Sequence, residues 1–356
     1  MEISFSAITV PPDAFIDVAR VSEQVGYDGL WMSETSHDPF IGLAAATQAT
    51  DHIALRAAIA VAFARNPMST AMLANDMQLV SGGRFAIGLG SQLKSHIIRR
   101  FGMPWSHPAA RMREYVLAMR AIWDCFETGG RLRFRGEFYR HTLMSDYFNP
   151  GPNPYGNPQI LVAALGELMT EVAGEVADAV VPHLISTRRY LEEVTLPAVR
   201  RGREKAGLTM DGFKVYLSPI VATGSTEAEF NAATSKARRD IAFFLATPSY
   251  AKALEVHGMS DLREELQRLF AQDRMDDMIA AIDDKILDTF AVVGEPAEVA
   301  AKLHERFADL AHGISFYAPH VQDPMHWLPI RDAYRQLERE LASGHETPAP
   351  TRLPIP

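Results

Sequence analysis

Apolar residues are distributed along this chain in two alternating modes. Short, near-continuous apolar runs alternate with longer stretches in which apolar positions return every three or four residues. The first mode suits a strand buried on both faces, the second an amphipathic helix. Strands are predicted at residues 3–9, 29–32, 52–59, 85–88, 159–163, 179–182, 213–222 and 313–317. Helices are predicted at about 12–25, 39–50, 68–80, 109–126, 166–176, 188–206 and 331–342. The third helix has a proline at its start, where a missing N–H costs least. Eight short strands alternating with helices point to a closed parallel (β/α)8 TIM barrel. An open doubly wound sheet is the competing fold. Against it, the first strand runs into Val10-Pro11-Pro12 and not into a glycine-rich dinucleotide turn.

Two segments break the rhythm and are read as insertions in a single domain spanning residues 1–342. Residues 127–157 contain a predicted hairpin over 131–139, followed by a loop rich in Pro, Gly and Asn. Residues 248–288 are acidic and helical, with Asp276, Asp277, Asp283 and Asp284. Both insertions are expected to help build the barrel mouth. The tail, residues 343–356, is proline-rich and expected to be disordered.

A hydrophobic content of 47% supplies a large core, and a net charge of -9 disfavours nucleic acid as a partner. The single cysteine, Cys125, lies in an apolar helical stretch and reads as a core residue. The N-terminus lacks a signal-peptide pattern, and no apolar run approaches the ~20 residues that span a bilayer. A cytoplasmic protein with no membrane partner is expected.

Reactive groups in such barrels lie in the loops after the strands. The loop after strand two reads Ser33-Glu34-Thr35-Ser36-His37-Asp38. Glu34 and His37 are candidates for hydrogen-bonding a ligand or moving a proton, while Asp38 is placed to cap the helix behind it. After strand four, Gly88-Leu89-Gly90-Ser91-Gln92-Leu93-Lys94-Ser95-His96 combines glycines with a dense supply of donors. Backbone without a Cβ suits a flat ring lying across the strand end. Arg99 and Arg100 could pair with an anionic ligand or with surface carboxylates. After strand five, Ala164-Leu165-Gly166 opens a helix whose free N–H groups favour phosphate, and Pro182-His183 ends the neighbouring strand. His183 reads either as a second phosphate donor or as a plain rim residue. His52, His141, His257 and His304 read as surface residues. No pair of His or carboxylates has metal spacing, so no metal is predicted.

Three segments carry a resemblance: Ala57-Ala58-Ile59-Ala60-Val61-Ala62-Phe63-Ala64-Arg65-Asn66-Pro67, then Ser81 through Gln92, then His96-Ile97-Ile98-Arg99-Arg100-Phe101-Gly102-Met103-Pro104-Trp105. Over roughly residues 1–340 the chain resembles the bacterial luciferase-like superfamily, and within it the oxidoreductases dependent on the deazaflavin coenzyme F420. The resemblance implies a (β/α)8 barrel with insertions and a non-proline cis peptide at Ala58–Ile59, bulging against the cofactor's middle ring. It implies that Glu34 bonds the cofactor's pyrimidine edge, that Gly90, Ser91 and Gln92 lie beside the ring and ribityl chain, and that Ala164, Leu165, Gly166, Pro182 and His183 surround the phosphate. Several relatives have Asp followed by His where this chain has Glu34 followed by Thr35.

The leading expectation is hydride transfer between the deazaflavin and a small organic substrate, with His37 as acid or base, since imidazole exchanges protons near neutral pH. Glu34 is second in that role, and His96 and Trp31 are candidate substrate contacts. The alternative is a monooxygenase using reduced FMN, which would need a separate flavin reductase; fold alone does not separate the two. A non-catalytic cofactor carrier is a third reading. Family members are often dimers, so a homodimer is expected.

Overall fold

A computed structural model describes residues 1–343. Eight parallel strands close a barrel: Glu2–Ala7, Gly29–Met32, Ala54–Val61, Phe85–Gly90, Gln159–Ala164, Ala179–Pro182, Lys214–Leu217 and Gly313–Ser315. They pair in chain order, and the eighth returns to the first with Ile3 opposite Ile314. The predicted fold class is therefore the observed one. Outward-facing Phe5, Leu30, Leu55, Ile87 and Ile160 are buried in the main core beneath the helices. Inside the barrel, Trp31, Ala86, Leu161, Ala179 and Tyr216 form a separate cluster, with Trp31 edge-on to Tyr216 at 5.7 Å. Below them Arg56 lies over the Tyr216 ring at 4.8 Å and pairs with Glu2 at 2.7 Å. The interior is a packed column and not a pore.

Helix starts follow their local chemistry. Asp38 accepts the Phe40 N–H at 2.9 Å ahead of Pro39–Thr47, which is the predicted cap. Asn66 does the same for Ser69 ahead of Pro67–Val80. The helix predicted over 188–206 is continuous but passes through a π turn, Leu191–Thr195. Pro197 follows directly and has no N–H for the regular ladder, which accounts for the irregular turn.

Strand seven departs from expectation. The barrel strand ends at Leu217, and Ile220–Ala222 pairs instead with Ala291–Val293 in a separate two-stranded parallel sheet. Pro219 stands at the break and cannot donate to a central ladder. The second insertion is accordingly larger than 248–288. It begins after Leu217, includes the helix Glu227–Ala246 and has its own core around Ile241, Leu245, Leu254 and Met278. It springs from the C-terminal end of a barrel strand, at the mouth.

The first insertion does not. It leaves the end of helix Pro108–Thr128 and leads into the fifth strand, so it is rooted at the barrel's opposite end. Its hairpin, Phe134–Arg135 with Arg140–His141, folds back along that helix. There the Glu114 carboxylate accepts the N–H groups of Glu137, Phe138 and Tyr139. Cys125 is 3% exposed and packs in the core, as expected. The tail beyond residue 343 lies outside the described residues.

Candidate active site

The loop after strand two and the end of strand three are built as one unit. The Ala58–Ile59 peptide is cis, at the bond that the resemblance indicated. Ser33 donates from Oγ to the Ala58 carbonyl at 2.6 Å, and the Glu34 N–H donates to the Ile59 carbonyl at 3.0 Å. The third strand shifts register against the fourth between Ala57 and Ala60. The glycines of strand four make room for that bulge. A Cβ on Gly88 would stand 2.2 Å from the Ala57 carbonyl oxygen, and one on Gly90 would stand 2.6 Å from Ile59 Cδ1. Their immediate task is thus to admit neighbouring protein, whereas the sequence alone attributed them to a ligand ring.

Arg65 is the hub of this side. Its guanidinium pairs with Glu34 at 2.5 Å and with Asp38 at 2.7 Å, and lies 5.3 Å from the centre of the Phe40 ring. Glu34 Oε2 also accepts the Val61 N–H at 2.8 Å. Both donors to Glu34 use that one oxygen, which makes the side chain a fixed acceptor and a poor carrier of protons. Among the described residues, Oε1 has no protein partner and remains available to a ligand N–H. His37, which falls between these two carboxylates in sequence, is half-buried and has no side-chain hydrogen bond among the described residues. Of the two candidates for acid or base, this geometry favours His37.

After strand four, Ser91 donates to the Gln92 carbonyl at 3.3 Å. Gln92 has a φ of 59° and turns its Oε1 back onto the Leu93 N–H, leaving its amide NH2 for other partners. His96 is exposed on the short helix Lys94–Arg99. Arg100 donates to the Thr35 carbonyl, tying that helix to the loop after strand two.

Across the opening, the surroundings of strands five and six are aromatic and neutral. Ala164 is buried at the end of strand five, and Gly166, with a φ of 76°, is the N-cap of helix Glu167–Val176. Leu165 packs against the second insertion. Pro182 ends strand six, and the His183 ring lies 4.4 Å from Tyr250 and 4.9 Å from Phe244. Its Nε2 is 3.1 Å from the Tyr250 hydroxyl, while Nδ1 is buried without a partner. Burial pulls its pKa down to about 3, so the ring is neutral at ordinary pH. Without a bound anion the ring is thus a neutral imidazole, with one N–H to donate. Tyr190 is 3% exposed, and its hydroxyl is also buried without a partner. Burial raises the Tyr190 pKa, opposed by the nearby Gly166 backbone. Orphaned polar atoms beside a helix start fit an anionic group better than they fit protein alone.

Trp31 is 2% exposed inside the barrel, packed with Ala86, Leu161 and Tyr216. Phe40 and Phe63 are likewise core residues. His141, His257 and His304 are half-buried, and only His52 of that group is exposed. His257 meets Thr187 Oγ1 at 2.9 Å, fastening the insertion to the loop after strand six. Arg65, Ser33, Tyr190 and Tyr250 were not assigned roles from sequence. Arg65 had one available signal, an arginine just past an apolar strand with two carboxylates in the preceding loop. Two surface clefts of about 520 and 460 Å³ lie elsewhere. Neither lies at the ends of the barrel strands: the first is lined by the last helix and the end of the first, the second by the insertion.

Comparison with known proteins agrees with this architecture. The chain belongs to the luciferase-like monooxygenase family, whose model matches residues 4–312. An uncharacterized protein of Mycobacterium tuberculosis is 47% identical over 290 residues, covering 82% of this chain and 85% of its own. The 5,10-methylenetetrahydromethanopterin reductase of Archaeoglobus fulgidus is 26% identical over 293 residues, 80% of this chain and 83% of its own. Among solved structures, the coenzyme F420 dependent tetrahydromethanopterin reductase of Methanopyrus kandleri superposes with a TM-score of 0.76 at 19% identity, covering 94% of this chain and 99% of that one. The protein is an enzyme of the oxidoreductase class. No helix among the described residues is long and apolar enough to cross a membrane.

Proposed function

We propose that this enzyme binds coenzyme F420 at the barrel mouth and exchanges a hydride between it and a small organic substrate. One observation carries the reading: the same end of the barrel holds both the bulged end of strand three, gripped by Ser33 and Glu34, and orphaned buried polar atoms of His183, after strand six, and of Tyr190. The first is suited to support a flat tricyclic ring and the second to hold a phosphate. Glu34 Oε1 would accept from the ring's pyrimidine edge, with Gly90, Ser91 and the Gln92 amide alongside. Gly166, Tyr190 and neutral His183 would hold the phosphate. When bound, the deazaflavin supplies the hydride chemistry; the chain positions it and places His37 to give or take the accompanying proton.

The preference for F420 over FMN is supported by the kinship with reductases, one of them described as coenzyme F420 dependent. The family's description as monooxygenases supports the second reading, a reduced-FMN oxygenase served by a separate flavin reductase. Titrating the purified protein with oxidised F420 and with FMN, followed by fluorescence, separates them. Micromolar or tighter F420 binding with weak FMN binding is expected. The reverse order overturns the proposal. Tight binding without turnover, indifferent to His37→Asn, would instead mark a carrier. A homodimer is proposed as the assembly, supported by exposed Leu143 and Tyr147 at 81% and 89%; the mass in solution tests it.

A further inference from the structure

Charge at the mouth is unevenly committed. The two carboxylates of the loop after strand two, Glu34 and Asp38, are both taken up by Arg65. Beyond strand four, the helix Lys94–Arg99 exposes Lys94, His96 and Arg99, and among the described residues none of these has an ion pair or a side-chain hydrogen bond. Unpaired exposed cations occur elsewhere on this chain, Arg131 and Arg133 of the first hairpin among them, but these three lie together on one short helix that follows a barrel strand at the mouth. The helix is not a loose appendage. Ile97 is fully buried beneath it, and Arg100 at its end holds the Thr35 carbonyl. It therefore reaches from the fourth strand's loop to the second strand's loop, past the end of the third.

We infer that this helix receives an anionic group, a carboxylate or phosphate, carried by the substrate. The inference rests on the oxidoreductase reading of the mouth. His96 and Arg99 are three residues apart and share a helix face, so one anion can meet both. A guanidinium matches the planar or tetrahedral oxygens of either group with two parallel donors. Lys94 adds a mobile charge at the start of the helix. Beside strand six the His183 ring is enclosed by Tyr250 and Phe244, so a charged substrate would be oriented with its anionic end toward this helix.

The same chemistry could come from the carboxylate tail of the cofactor, and the test separates the two sources. Citrate is titrated calorimetrically into the cofactor-free wild type and into the double variant His96→Ala with Arg99→Ala. A second double variant, Arg131→Ala with Arg133→Ala on the exposed hairpin, controls for loss of charge alone. The expected result is at least a tenfold weaker citrate affinity, about 1.4 kcal/mol, in the first variant and no change in the second. F420, and the shortened deazaflavin lacking phosphate and glutamates, are then titrated by fluorescence, with affinities expected within about twofold of wild type. Unchanged citrate binding in the first variant, or no citrate binding by the wild type, overturns the inference. Loss of affinity for F420 but not for the shortened form reassigns the site to the cofactor tail and overturns the substrate assignment. If the wild type binds neither F420 nor FMN, the functional reading fails by itself, because the citrate titration does not depend on it.

Discussion

The two sides of the mouth are held in place by different physics. Around strands two and three the fixing groups are polar and reach the surface: Arg65, 19% exposed, clamps Glu34 and Asp38 while Ser33 holds the Ala58 carbonyl. Around strands five to seven they are aromatic and sequestered: Tyr250 and Phe244 of the insertion pack against His183, and Tyr317 of the eighth strand's loop packs on Phe244. Directional bonds fix where atoms sit. Packed aromatic rings mainly exclude water and so set the charge state of whatever polar group they enclose. The first side is thus suited to hold a ring in register, and the second to keep a neutral, low-dielectric wall beside a phosphate.

The largest effect should follow from breaking the polar side. Arg65→Met leaves Glu34, whose side chain is 8% exposed, without its ionic partner. Removing one member of a buried pair costs about 3–5 kcal/mol, and the partial exposure of Arg65 places this case near the lower figure. Urea denaturation should show that loss, and the affinity for F420 should fall with it. A change under about 1 kcal/mol would mean that the clamp contributes as little as an exposed pair. Next in size is Gly88→Ala. Its new methyl would press on backbone, the Ala57 carbonyl, so a loss of about 1–3 kcal/mol is expected. Gly90→Ala should cost less, because it meets the flexible end of Ile59. Equal costs would show that the bulge itself yields easily.

Much of this was legible from the chain. The strands are short, apolar and regularly spaced, so their number and order could be read, and with them which loops gather at one end of the barrel. What escaped was whatever depends on contacts between loops. Arg65 acquires its meaning only when the loop after strand two lies beside it, 27 to 31 residues away in sequence. Gly88 and Gly90 stand out in the sequence, but the room they give the neighbouring strand does not, because its bulge leaves no trace in their own segment. The break in strand seven did have a local signal, Pro219, which a central strand does not tolerate. His183 was located correctly at the end of strand six, yet its neutrality comes from rings on an insertion more than sixty residues later.

That neutrality gives the smallest and most specific prediction, one that addresses the aromatic side alone. Burial lowers the His183 pKa from its ordinary value of 6.5 to about 3. Between those values the unfolded chain binds a proton that the folded chain refuses. The contribution of His183 is therefore complete above pH 6.5 and declines as the pH falls toward 3. His257, His312 and His326 are shifted in the same direction by burial, so the wild type should lose stability in acid faster than one group explains. His183→Phe keeps a ring between Phe244 and Tyr250 but removes the proton site. Stability measured by urea at several pH values from 7 to 5 should decline less steeply in this variant, by up to one proton's worth of slope. Equal slopes would mean that the ring can take up a proton in the folded state, and the aromatic wall would then be wetter, and more like the polar side, than its packing indicates.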